Sequence, residues 1–364
     1  MTGRERILAA LSGQDMDRVP ITEIAIWPET LERWYTEGYP KGVDPNDYFG
    51  FDKIHFFSFD GTLGLEEKTI SSDELTRTFT DKDGCIYKQY KGRQIPPQFL
   101  GSTVKTMDDW IRLKGSLIPD FSRFEDYHED FIFMRYLEED QLSKYEKATN
   151  AGEFKVLVPT EACWYYIRLL GEADALMNMA LEPELFARIL SDYNEFTMNM
   201  VKKILSLGYK FDAMMVFSDL TYGKGMLFSP DVFRSFVMQH QKELFNLAKE
   251  NGMKVIYHSD GKLHEFVPLL IECGIDCIEP LEARAGNDVN DYLKKYPGLS
   301  CMGNINMDKF AMNKAAIEEE VLSKLIPAKE TRRYIFHSDH SVPYTVSFED
   351  YSFGMELAKK HSVY

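Results

Sequence analysis

Positive charge is scarce in this chain: 42 Lys and Arg face 58 Asp and Glu, a formal charge of -16 over 364 residues. A surface of that sign repels a phosphate backbone or an anionic bilayer over most of its area, which argues against nucleic acid and membrane as partners. Cysteine is scarce too. The five present, Cys85, Cys163, Cys273, Cys277 and Cys301, are dispersed and form no C-x-x-C pair, which argues against a disulfide scaffold or a thiolate zinc cluster. No apolar run reaches membrane length. The opening Met1-Thr2-Gly3-Arg4-Glu5-Arg6 leads into an amphipathic helix without an apolar signal core, so a reducing cytoplasm is the expected setting. Internal repeats, low-complexity tracts and flexible linkers are missing as well.

What is present is apolar residue in quantity, 44% with 13% aromatics, enough for one large core. Eight short β-rich runs can be counted, spanning 19–26, 53–59, 154–158, 211–217, 253–257, 276–279, 299–302 and 333–336. Helical stripes separate them. Between Pro183 and Leu207, apolar residues such as Leu185, Phe186, Ile189, Leu190, Tyr193 and Phe196 recur three and four apart, and Gly208 closes the helix. Pro230 to Glu250 repeats the design, with Ser229 as N-cap and Asn251-Gly252 as the stop. Eight strand–helix alternations predict an α/β fold, a (β/α)8 TIM barrel forming one domain over 1–364. The stretch 61–152 breaks the rhythm. Within it, Leu65 to Tyr90 predicts a β-hairpin turning at Asp81-Lys82-Asp83-Gly84, followed by an irregular excursion over the barrel mouth.

In such a barrel the residues that follow each strand share one cavity. Those positions hold Glu23 and Trp27, Asp60, Glu161, Ser218-Asp219, His258 and Asp260, Glu279 and Glu282, Asn304 and Asn306, then His337, Asp339 and His340. Close carboxylates cannot all stay ionised unpaired, so an acidic mouth with histidines either holds a divalent metal or shares protons. In His258-Ser259-Asp260-Gly261 the i and i+2 side chains can converge on one ion. Plainer roles compete. Asp60 and Asp219 suit helix N-caps, although both lie in glycine-bearing loops, and Asp219 is read as functional. Glu161 stays open between cap and chemistry, and His337 is read as structural.

Arg4-Glu5-Arg6-Ile7-Leu8-Ala9-Ala10-Leu11 with Asp17-Arg18-Val19-Pro20, then Leu227-Phe228-Ser229-Pro230-Asp231-Val232-Phe233, His258-Ser259-Asp260-Gly261 and Asp339-His340-Ser341-Val342-Pro343 resemble the uroporphyrinogen decarboxylase superfamily. That superfamily also contains zinc-dependent, corrinoid-linked methyltransferases. The resemblance implies a (β/α)8 barrel with its site at the strand C-termini. The decarboxylases carry an arginine-rich segment after the first strand; here Trp27-Pro28-Glu29-Thr30-Leu31-Glu32-Arg33-Trp34 offers one Arg flanked by acids, a poor cradle for a polyanion. Asp60 does fall where the decarboxylases carry their functional aspartate. In the methyltransferases the zinc ligands are a His-x-Cys pair and a later Cys. The resemblance places His258 on the His, Asp260 on the first Cys and His340 nearest the second, a harder set suited to an oxygen-bound methyl group.

The expected function is therefore methyltransferase-like, nearer that branch than the true decarboxylases. Zinc or another divalent metal at His258, Asp260 and His340 activates a small methyl donor, with Asp219, Glu161 or Glu279 as proton donor or substrate anchor. The methyl group passes to a corrinoid on a separate protein, since the chain has no D-x-H-x-x-G motif. Decarboxylation of a tetrapyrrole or smaller carboxylated substrate through Asp60 is one alternative. A non-catalytic binder of a corrinoid or small molecule is another, and a homodimer is compatible with every reading.

Overall fold

The computed structural model of the chain describes residues 1–92, 96–127 and 140–364. Its strands, in chain order, are β1 (Ile54–Phe57), β2 (Lys68–Ser72), β3 (Thr76–Thr80), β4 (Ile86–Tyr90), β5 (Gln98–Gly101), β6 (Phe154–Leu157), β7 (Ala213–Phe217), β8 (Thr221–Tyr222), β9 (Gly225–Met226), β10 (Lys254–His258), β11 (Cys277–Glu279), β12 (Ser300–Met302) and β13 (Tyr334–Ile335). Seven of them form one parallel sheet in the order β1-β6-β7-β10-β11-β12-β13, with helices between successive strands. The fold is mixed α/β and TIM-barrel-like.

Period-2 alternation along these strands sorts their side chains into two cores. Phe154, Val156, Ala213, Met215, Ile256, Cys277, Met302 and Ile335 pack with Ile7, Ala9, Ala10 and Leu11 of the helix Gly3–Ser12. The intervening residues, Leu157, Met214, Val216, Val255, Tyr257, Ile278, Cys301 and Tyr334, face the helix layer instead. The N-terminal helix thus covers one side of the sheet near its strand starts. The opposite, C-terminal ends are left for polar residues.

The expected strand over 19–26 is a correction. That segment makes only isolated parallel bridges, Ile21 to Phe336 and Ile26 to Val342. It nonetheless bonds both edges of the sheet: Thr22 N–H donates to the Phe336 carbonyl at 3.0 Å, and Asp52 N–H to the Ile21 carbonyl at 2.8 Å. The physical reason is a shortage of free donors. Pro20 has no N–H to give a ladder, and the Ile21 N–H is taken by the Asp52 carboxylate at 2.9 Å.

Between β1 and β6 lies a four-stranded antiparallel sheet, β2-β3-β4-β5. The expected turn joins β3 to β4, with Thr80 opposite Ile86. Asp81 builds it by accepting from the Asp83 and Cys85 N–H groups at 2.9 and 2.8 Å, while Gly84 takes φ 74°. Part of the irregular excursion expected after this sheet, residues 128–139, lies outside the described residues. The long stripe forms the helix Pro183–Ser206. Ser229 caps the helix after it as expected, and a π-helical turn, Phe233–Val237, interrupts the run to Glu250. All five cysteines are free and buried. Among the described residues no helix is long and apolar enough to cross a membrane.

Candidate functional site

Sheet register assembles the centre of the site. His258, last residue of β10, stands opposite Phe217 at the end of β7 and Glu279 at the end of β11. All three continue the sheet-interior parity of Met215, Ile256 and Cys277. The imidazole stacks on the Phe217 ring, centroids 3.7 Å apart at 11°, and its Nδ1–H donates to Glu279 Oε2. Glu279 is 0% exposed and His258 4%. Burial opposes the imidazolium, yet Glu279, Asp219 and Asp260 outweigh it and push the His258 pKa up to about 9.

The loops after β7 and β10 supply carboxylates to the other ring nitrogen. His258 Nε2 lies 3.7 Å from Asp219 Oδ1 and 4.0 Å from Asp260 Oδ1. One ligand atom from each of Asp219, His258 and Asp260 falls within 4.8 Å of the others. The two loops are tied together, since Asp260 N–H donates to Asp219 Oδ1 at 3.0 Å. Burial raises the Asp219 pKa, with His258 opposing it. Burial also works to raise that of Asp260, but a hydrogen bond from His340 and the charge of both imidazoles bring it below the ordinary value. His340 Nε2 sits 3.5 Å from Asp260 Oδ2, so one carboxylate stands between the two histidines. His258 Nε2 and Asp260 Oδ1 are buried and, among the described residues, have no hydrogen-bond partner. Such atoms are costly to bury unmatched, and a cation between them would satisfy both.

Backbone detail holds the loop in place. Gly261 adopts φ +87°, and a Cβ there would come within 2.6 Å of the Tyr222 backbone. Only glycine lets the chain turn here and lie against the β8–β9 hairpin. Glu282 accepts the Gly261 N–H at 2.9 Å, and the Asp339 carboxylate accepts from Ala283 and Met307 N–H, each at 3.2 Å.

The remaining expected residues are placed elsewhere. Glu161 caps the helix Ala162–Leu170: its carboxylate accepts from Cys163 N–H at 2.8 Å, Trp164 N–H at 2.6 Å and Ser218 Oγ at 2.6 Å. Asp60 accepts from Thr62 N–H and Oγ1 at 2.9 and 2.6 Å and pairs with Lys82 at 3.2 Å. Burial opposes its charge, but these partners hold its pKa below the ordinary value. Glu279, expected as a proton donor or substrate anchor, lies behind His258 and holds its ring. His337 Nδ1 bonds the Ser338 carbonyl at 2.8 Å. Sequence reasoning missed Phe217 and the pairing of Glu279 with His258. The usable signal was strand parity, which puts the last residues of three neighbouring strands on one face.

The uroporphyrinogen decarboxylase (URO-D) family profile matches residues 159–361, more than half of the chain, and the chain belongs to that family. The matched span contains Asp219, His258, Asp260, Glu279 and His340 and leaves out Asp60. Among solved structures, the chain is similar to a methyltransferase from Methanosarcina mazei, with a TM-score of 0.59, 13% identity and 99% of each chain covered. At that identity the likeness is one of fold. No curated protein matches the chain.

Proposed function

We propose that this protein is a methyltransferase-like enzyme that activates a small, oxygen-bound methyl donor at a divalent cation, zinc or a relative, and passes the methyl group to a corrinoid on a separate protein. The observation that carries this reading is the buried, unpartnered His258 Nε2 beside the equally unpartnered Asp260 Oδ1, with Asp219 3.7 Å away. Nitrogen and oxygen donors of this kind suit zinc or iron(II). Asp219, His258 and Asp260 would hold the cation, with His340 orienting Asp260 through its second oxygen or joining the set. When bound, the cation supplies Lewis acidity toward the donor's oxygen.

The chain's own residues prepare that site. Glu279 accepts the Nδ1–H of His258, so Nε2 is the ring atom turned toward the carboxylates, and a cation binding there would displace the Nε2 proton, the usual arrangement behind a ligating histidine. Phe217 keeps the ring in plane and excludes water from that side. Glu161, through Ser218 Oγ, steadies the residue before Asp219. Residues 19–26 are proposed to complete the (β/α)8 barrel between β13 and β1, with 61–152 as an insertion at its mouth.

Metal analysis of freshly purified protein tests the reading. Wild type is expected to carry near-stoichiometric zinc, iron or cobalt, and His258→Ala and Asp260→Ala to lose it. Equally negligible metal in all three would overturn it. Family membership supports a second reading, decarboxylation through Asp60, whose carboxylate Thr62 and Lys82 keep charged. Coproporphyrinogen formation from uroporphyrinogen, abolished by Asp60→Asn, would favour it.

A further inference from the structure

Beside the acidic cluster, the charge changes sign. A cavity of about 320 Å³ opens between the β8–β9 hairpin, the loop following Asp260 and the turn at Gly286, and Lys224, Lys262 and His264 line it against one carboxylate, Glu265. Even with His264 neutral, its walls carry net positive charge in a chain of formal charge -16. Among the described residues neither lysine forms an ion pair, unlike Lys53, Lys114 or Lys314, which face acids within 3 Å. The one carboxylate of the cavity, Glu265, balances only one of the two lysines, and a bound anion would meet the remaining positive charge.

The cavity is built onto the cluster. Lys262 N–H donates to the Tyr222 carbonyl at 2.9 Å, Thr221 Oγ1 donates to the Asp260 carbonyl, and the tight Gly261–Tyr222 approach locks hairpin and loop together. Lys262 is therefore two residues from Asp260 on a fixed piece of backbone. Gly286 adopts φ +85° with open space where a Cβ would be, which leaves its peptide open to close approach by a ligand. A cavity of this size is at the small end of ligand pockets and takes an acid group with a ring or short chain, not a tetrapyrrole.

We propose that this cavity binds the anionic group, carboxylate or phosphate, of the small molecule whose other end reaches the Asp219–His258–Asp260 cluster. The inference rests on the reading of that cluster as the reaction site. It predicts a substrate with its reactive methyl and its charge at opposite ends.

Inorganic phosphate and acetate, titrated separately into the full chain at low ionic strength, test it by calorimetry and by line broadening of the anion. One of the two anions is expected to saturate a site in the millimolar range, which also identifies the preferred acid. A Lys224→Gln, Lys262→Gln double variant should bind it about tenfold more weakly, while His258→Ala keeps wild-type affinity. The proposal is overturned if neither anion saturates, if the double variant binds as wild type does, or if His258→Ala alone abolishes binding. Metal content of the same samples separates the two readings: lysine-dependent anion binding in protein without metal leaves the anion site standing and removes the metal mechanism.

Discussion

Two carboxylate clusters at the strand ends differ in one respect. Around Asp60 and Asp83, each carboxylate has protein donors: Thr62 and Lys82 serve the two oxygens of Asp60, and the Leu63 N–H and Tyr165 hydroxyl both serve Oδ1 of Asp83 at 2.8 and 2.9 Å. Around His258, a ring nitrogen and two carboxylate oxygens, Asp260 Oδ1 and Glu279 Oε1, are buried with no hydrogen-bond partner among the described residues. The first cluster fastens the β3–β4 turn to the sheet. The second leaves polar atoms without protein partners. Acidic composition alone does not mark a site; what marks it is acidity that the protein leaves unmatched.

The contrast breaks most decisively by exchange of single residues. His258→Ala or Asp260→Ala should remove metal and lower any metal-dependent turnover by about three orders of magnitude or more, whereas Asp60→Asn should leave metal content unchanged. Plasma emission spectrometry with turnover assays reads both. Next, Glu279→Gln keeps a hydrogen bond to His258 Nδ1 but loses the charge, and should weaken metal affinity about 10- to 100-fold with the fold intact. Competition with a chromogenic chelator measures it, and an unchanged affinity would place Glu279 outside the site.

Smaller effects sharpen the first cluster. Burial lifts the Asp83 pKa from 3.8 to about 6, so its protonated form is the one the fold prefers. That contribution is present in full below the ordinary value and is lost as pH rises through about 6. Asp83→Asn cannot ionise and keeps an acceptor for Leu63 and Tyr165. Its stability relative to wild type should therefore climb across that pH range, by up to about 3 kcal/mol, as denaturant melts at successive pH values would record. A flat difference would contradict the burial of that carboxylate. Glu161→Ala removes a helix cap and should cost about 1–2 kcal/mol in the same melts while metal content stays at the wild-type level.

How much of this was legible in the sequence depends on the range of each interaction. Helix stripes and seven of the eight strands come from local periodicity, and local periodicity predicts them. Residues 19–26 read as a strand because Val19, Ile21, Thr22, Ile24 and Ile26 make them rich in β-branched residues, but Pro20 and the Asp52 carboxylate remove the donors a ladder needs, and only the second is a long-range effect. His258 and Asp260 are visible as an i, i+2 pair after an apolar run, and Asp219 as an acid in a glycine-bearing loop. Glu161 could be read either as cap or catalyst because both roles occupy the same place after a strand. The Glu279–His258 bond needs the register of β10 against β11, and the contact of His340 with Asp260 needs the fold itself.

Anomalous scattering from crystals of protein grown with zinc tests the central claim most directly. The account predicts one strong peak within coordinating distance of His258 Nε2 and the Asp219 and Asp260 carboxylates, with the imidazole still bonded to Glu279 through Nδ1. A map with no peak there, or with zinc held only at Asp60 or at surface acids, would contradict it.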